Sequence, residues 1–188
     1  MRSVSGIRVS GELHIGNYLG ALKQWLELQE QYEAYYFIAD LHALTTPYEP
    51  KSFQKSILQT AALYLALGLD PQKATLFLQS LVPEHVELSW IFQTLTPIGD
   101  LSRMTQYKEK IKEGAPAMAG LFAYPVLMAA DILIYKAEAV PVGEDQVQHI
   151  ELTRETASRF NKKFGKTFPL PKAILPPKGA ERIKSLQD

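Results

Sequence analysis

Ser10-Gly11-Glu12-Leu13-His14-Ile15-Gly16-Asn17 is the stretch on which the reading of this chain turns. It follows a short strand-like segment (Val4, Gly6, Ile7) and runs into an amphipathic helix that begins near Gly16. A strand, a glycine-bearing turn and a helix N-terminus together make an anion site. The first N–H groups of a helix are unpaired, and its dipole favours negative charge. Gly11 and Gly16 carry no Cβ, so a phosphate or an adenine ring could lie against the main chain. His14 and Asn17 add donors able to meet charge developing on a reacting phosphate. The combination points to a nucleotide enzyme; an ordinary helix cap with a solvated histidine is the other reading of the same residues.

Working outward, strands and helices alternate. Arg2–Ile7 reads as a strand and Ile15–Tyr32 as a helix with apolar residues at Leu19, Leu22, Leu26 and Leu28. Tyr35–Ala39 is an apolar run suited to a buried parallel strand. Pro50 and Ser52 open a helix through about Leu67 that Gly68 ends. Ala74–Gln79 is a third strand, followed by helical segments at about Pro83–Leu95, Pro97–Lys112 and Met118–Lys136. Val140–Val142 is a short strand feeding Gly143, Glu144–Phe164 a long helix closed by Gly165, and Pro169–Pro177 a proline-rich extended excursion. The expected fold is α/β: a Rossmann-like, doubly wound parallel sheet with helices on both faces. Ligands of such sheets bind beyond the carboxyl ends of the strands, which places the His14 turn, Asp40, Ser80 and Gly143-Glu144-Asp145-Gln146 along one edge.

Composition narrows the classes. The 188 residues suffice for one substantial domain, and 46% hydrophobic with 21% charged content suits a soluble globular protein. No cysteine is present, which excludes disulfides and thiolate metal sites and fits a reducing compartment. Met1-Arg2-Ser3 leads into a strand and not an apolar signal segment, so the cytoplasm is the expected location. The formal net charge is zero, which neither demands nor forbids RNA, and the basic clusters at Arg103–Lys112 and Arg159–Lys166 read as solvated helix faces. The four histidines (His14, His42, His85, His149) are scattered without a short ligand pair, so no protein-bound metal is expected.

Tyr124, Met128 and Asp131 fall at i, i+4 and i+7 and share one helix face. That face offers an aromatic wall, a thioether and one carboxylate, which suits an apolar ring that carries a single hydrogen-bond donor. A carboxylate flanked by Ala129, Ala130, Ile132 and Leu133 must be paired, so Asp131 reads either as a ligand of such a ring or as a structural partner for a neighbouring helix or arginine.

His14-Ile15-Gly16-Asn17 resembles the His-Ile-Gly-His signature of class I aminoacyl-tRNA synthetases. Tyr124-Pro125-Val126-Leu127-Met128-Ala129-Ala130-Asp131 and Val142-Gly143-Glu144-Asp145-Gln146 resemble the tryptophan- and ribose-binding segments of bacterial tryptophanyl-tRNA synthetases, in order and at similar spacing. Ala39-Asp40-Leu41-His42-Ala43-Leu44-Thr45 is similar as well. The resemblance implies activation of L-tryptophan with ATP to tryptophanyl-adenylate and transfer to tRNA(Trp), by a homodimer. It implies roles in catalysis for His14, Asn17 and Lys110. ATP would be held by Arg8, Val9, Ser10, Gly16, Asn17, Gly143, Glu144, Asp145 and Ile183. Tryptophan would be held by Gly6, Tyr124, Met128, Asp131 and Gln146. Mg²⁺ would arrive on ATP, held mainly through phosphates.

Arg8-Val9 departs from the Gln-Pro pair common in the family, though some branches carry arginine there. Gln106, Lys108 and Lys110 resemble the family's mobile phosphate-side segment, with Gly114 and Pro116 as a hinge. The sequence stops at Ile183-Lys184-Ser185-Leu186-Gln187-Asp188, similar to the segment just before the second signature, KMSKS. The expectation is a single catalytic domain over residues 1–188, without the helical anticodon-binding domain and impaired in activation. Three other readings stay open: a tyrosyl-type synthetase, a small-molecule nucleotidyltransferase, and a non-catalytic amino-acid- or nucleotide-binding module.

Overall fold

The computed structural model describes residues 1–9, 22–114 and 116–176. Ser10, His14, Gly16, Asn17 and Ile183, and with them the start of the helix expected from Ile15, lie outside the described residues. Five parallel strands form one sheet: β1 (Arg2–Arg8), β2 (Glu33–Ala39), β3 (Ala74–Leu78), β4 (Ala139–Pro141) and β5 (Lys172–Ile174), in the order β3-β2-β1-β4-β5. The order reverses at β1, between β2 and β4, which is where doubly wound sheets open a crevice.

β2 is almost wholly apolar because both of its faces are covered. On one side Tyr36 stacks on Trp25 at 4.4 Å between ring centroids and donates its hydroxyl to the Trp25 carbonyl at 3.0 Å. Tyr64, from α3 (Pro50–Ala66), meets the same indole edge-on. Trp25 lies on α1 (Lys23–Leu28). On the other side Val4, Phe37 and Val140 pack against Ile132 and Ile150. Ile132 lies on α7 (Ala119–Leu133), and Ile150 on α8 (Val147–Phe164). α7 also packs against α4 (Glu84–Gln93), which buries its face on both flanks.

Several expected boundaries shift for identifiable reasons. The first helix ends at Leu28 instead of Tyr32, and the Gln29 side chain accepts from the Asp70 N–H at 3.0 Å while donating to the Gly68 carbonyl at 3.3 Å. A one-turn helix, α2 (Asp40–Ala43), follows β2 directly and was too short to show a period. The helix expected over Pro97–Lys112 is two, α5 (Ile98–Ser102) and α6 (Thr105–Lys112). Met104 between them is extended and buried, and the Thr105 N–H goes to the Gln148 side-chain oxygen at 2.8 Å. Glu144–Gln146 is a 3-10 turn before α8, not its first turn. The excursion after Pro169 contains β5, where proline-free Lys172–Ile174 adds an edge strand, the place in a sheet that tolerates flanking prolines. Among the described residues no helix is long and apolar enough to cross a membrane.

Candidate active site at the carboxyl ends of the strands

The strand ends converge. Asp40, just past β2, accepts from the Ser80 N–H just past β3 at 3.0 Å, which ties two strand ends together. Between β1 and β4 opens a cavity of about 620 Å³. Gly6 and Arg8 of β1 form one wall, and Val142, Gly143, Asp145 and Gln146 after β4 another. Tyr124, Met128 and Asp131 close it from α7, as their shared helix face requires. His42, Thr45 and Thr46 come from the segment after β2, and Gln106, Glu109, Lys110 and Glu113 from α6 and its end.

Most of the expected residues inside the described regions therefore share one cavity: Gly6, Arg8, Lys110, Tyr124, Met128, Asp131, Gly143, Asp145 and Gln146. Two do not. Val9 is packed with Leu22 and Trp25 in the core, so only its main chain is available to a ligand. Glu144 is exposed off the cavity wall. Lys110 is already ion-paired with Glu113 at 2.6 Å. Its partner is a fellow member of the wall, and the pair is half exposed, so it is a weak hold that an incoming polyanion competes for.

Gly6 is needed for contact, not for conformation. A Cβ there would stand 2.4 Å from the Phe37 ring, which occupies the space a side chain would take. Gly143 is constrained similarly, since a Cβ would lie 2.7 Å from Asp145 Oδ1. The Asp145 carboxylate cannot swing away freely, because its Oδ2 accepts from the Gln106 and Gln146 side-chain amides at 2.9 and 2.8 Å.

Tyr124 is the hub of the polar wall. Its hydroxyl donates to Gln106 Oε1 at 2.7 Å, so His149 Nε2, 2.8 Å away, must be the protonated nitrogen and donate to the Tyr124 oxygen. His149 Nδ1 then keeps a lone pair with no partner among the described residues. Burial pushes the His149 imidazole down to about 4, with the charge on His42 acting in the same direction and Asp145 opposing. Burial pushes the Tyr124 phenol up to about 12. Both groups are neutral near pH 7, so this wall offers dipoles instead of charge.

Asp131 is the one carboxylate buried deep in the cavity wall, 1% exposed. Its Oδ1 accepts from Gln79 Nε2 at 2.8 Å and His85 Nδ1 at 2.6 Å, and its Oδ2 from His42 Nε2 at 2.6 Å. Burial pushes this carboxyl up, but the electrostatic attraction and hydrogen bonds of His42 and His85 together outweigh it and hold it below the usual carboxylate range. Asp131 is thus an ionised acceptor held by three donors, a partner set the sequence did not supply. In the sequence, His85 stands out only as one of four scattered histidines, and His42 as that and as part of the Ala39–Thr45 segment. The usable signal was the lone Asp on an apolar helix, which demands neutral or cationic donors from the strand ends facing it. Among the described residues no group of three His, Cys, Asp or Glu is placed to hold a metal ion.

Comparison with known proteins follows the same lines. Residues 1–186 match the family described as tRNA synthetases class I (W and Y). The chain is 55% identical over 98% of its length to a tryptophan–tRNA ligase of Caldanaerobacter subterraneus subsp. tengcongensis, covering 56% of that protein. With the Bacillus subtilis tryptophan–tRNA ligase it shares 53% identity over 98% of its length, covering 56% of the relative. The crystal structure of tryptophanyl-tRNA synthetase from Campylobacter jejuni, complexed with ADP and tryptophan, superposes with a TM-score of 0.92 at 45% identity, over 100% of this chain and 61% of that one. The chain spans about half the length of the curated relatives it matches. A parallel sheet that reverses order at β1, the cavity at that reversal and a family match over residues 1–186 lead to one assignment: the chain belongs to the class I tRNA synthetases of the W and Y family.

Proposed function

We propose that this chain is the Rossmann-type catalytic domain of a tryptophan–tRNA ligase that activates L-tryptophan with ATP and passes it to tRNA(Trp). The observation that carries the reading is the Tyr124–Met128–Asp131 face closing the cavity between β1 and β4. Its support is identity of 51–55% with tryptophan–tRNA ligases along nearly the whole chain. Indole would slide between apolar walls with Met128 beside it and its N–H toward Asp131. Adenosine would rest on Gly143, with the ribose hydroxyls donating to Asp145. Arg8 and Lys110 would face the phosphates of Mg-ATP, a task the family resemblance also gives to Ser10, His14, Gly16 and Asn17.

The chemistry asks for position and charge compensation, with no covalent enzyme intermediate. A tryptophan carboxylate oxygen attacks the α-phosphorus in line, its bond to the bridging oxygen breaks, and pyrophosphate leaves with that electron pair. Arg8 has a permanent charge and a planar fork of donors suited to a phosphate or carboxylate. Glu144 and Ile183 complete the proposed ATP-binding set, and Val9 would serve through its backbone. We further propose a cytoplasmic homodimer. Val86 and Trp90, one turn apart on α4 and both exposed, support the dimer as an apolar helix face suited to burial against a second copy.

Single-turnover incubation of concentrated protein with tryptophan, ATP and Mg²⁺, followed by mass spectrometry of the bound adenylate, tests the reading. Tryptophanyl-AMP is expected. Tyrosyl-AMP formed in preference, or a folded protein that binds neither tryptophan nor ATP, would overturn it.

A further inference from the structure

An ionised carboxylate has about four lone-pair sites. At Asp131 three are filled among the described residues, two on Oδ1 and one on Oδ2. The donors differ in where they stand. His42 lines the cavity, whereas His85 and Gln79 do not, are fully buried, and reach Oδ1 from behind. His85 is itself completed: its Nδ1–H goes to Asp131, and its Nε2 takes the Tyr135 hydroxyl at 2.8 Å. A ring with both nitrogens engaged in this way is held in one orientation. The remaining acceptor site of Asp131 is on Oδ2, the oxygen that faces His42 at the cavity wall.

We propose that His85 and Gln79 are positioning residues that saturate Asp131 Oδ1 and so present Oδ2 alone to a donor on the substrate ring. Together they set the preference for a ring that carries an N–H over an isostere without one. This rests on the proposed tryptophan site. Without the two donors the carboxylate is free to turn or to take up a proton, and either event removes the acceptor from the cavity. Neither residue touches the substrate, so neither is visible as a ligand.

The test compares tryptophan with its benzothiophene analogue, in which sulfur replaces the ring N–H, by calorimetry on the 188-residue protein and three variants. In His85→Leu, tryptophan binding should weaken about 10- to 100-fold, the range for a lost hydrogen bond to a charged group, while the analogue changes by less than about threefold. In His85→Asn, whose amide N–H stands near the position of Nδ1–H, most of the preference should survive. Equal weakening of both ligands in His85→Leu would show a merely structural residue and overturn the proposal, as would an unchanged ratio. Should His85→Leu fail to fold, Gln79→Met removes the other donor to Oδ1 at nearly constant volume and is judged by the same ratio. A wild-type protein with no preference for tryptophan over the analogue would overturn the site reading and this proposal together. A wild-type preference that persists in the variants overturns only the proposal.

Discussion

His149 should make the fold acid-sensitive between about pH 6.5 and pH 4. Its imidazole is 1% exposed, donates through Nε2 to Tyr124, and is held neutral down to about pH 4 by burial. In the unfolded chain an ordinary histidine takes a proton at about pH 6.5. Between the two values the unfolded state therefore binds the extra proton, and stability rises with pH at up to about 1.4 kcal/mol per unit. The contribution is fully present above pH 6.5, declines as the pH is lowered from 6.5 to 4, and is flat below. From pH 7 to 4.5 it amounts to a loss of about 2 kcal/mol from this one residue. Urea unfolding at half-unit steps, on wild type and His149→Gln, isolates the effect. The Gln amide can replace the donor to Tyr124 and does not titrate. The variant's stability should fall less than the wild type's by about that amount across the window. Parallel curves for the two proteins would refute the reasoning and mean that His149 is readily protonated in place.

Three further expectations concern packing and assembly. Gly6→Ala should cost about 1–3 kcal/mol in urea unfolding, because the new methyl stands 2.4 Å from the buried Phe37 ring; an unchanged midpoint would show that the ring yields freely. Trp25→Ala should cost about 3–5 kcal/mol, since the indole is fully buried and stacked on Tyr36; a loss below about 1 kcal/mol would mean that cluster is not the centre of its core. Trp90→Glu should leave the circular dichroism of the folded chain unchanged, because Trp90 is 67% exposed in the single chain, yet convert a sedimenting dimer to monomer; a dimer that persists would remove Trp90 from the interface.

The parts of this architecture that were legible in the sequence are those with a strong local cause. β2 announced itself as an uninterrupted apolar run, and α7 placed Tyr124, Met128 and Asp131 on one face through helical spacing alone. The turn after β4 was legible because Gly143 separates a short apolar run from a long helical one. What stayed hidden depends on contacts distant in sequence. The break at Met104 is decided by a core position and by Gln148, 43 residues later than Thr105. β5 is made a strand by β4 and not by its own residues, which sit among prolines. The donors to Asp131 come from positions 42, 79 and 85, on two other segments of the chain, and no spacing rule links them to the helix they serve.

The proposed site makes Asp131 the acceptor of the tryptophan ring N–H. Calorimetric titration of tryptophan and tyrosine into wild type and Asp131→Ala, without and then with ATP, probes that contact. Tryptophan should bind wild type in preference to tyrosine, and its binding should be lost in an Asp131→Ala protein whose circular dichroism remains folded. Preference for tyrosine, or tryptophan binding that survives the substitution, would contradict it.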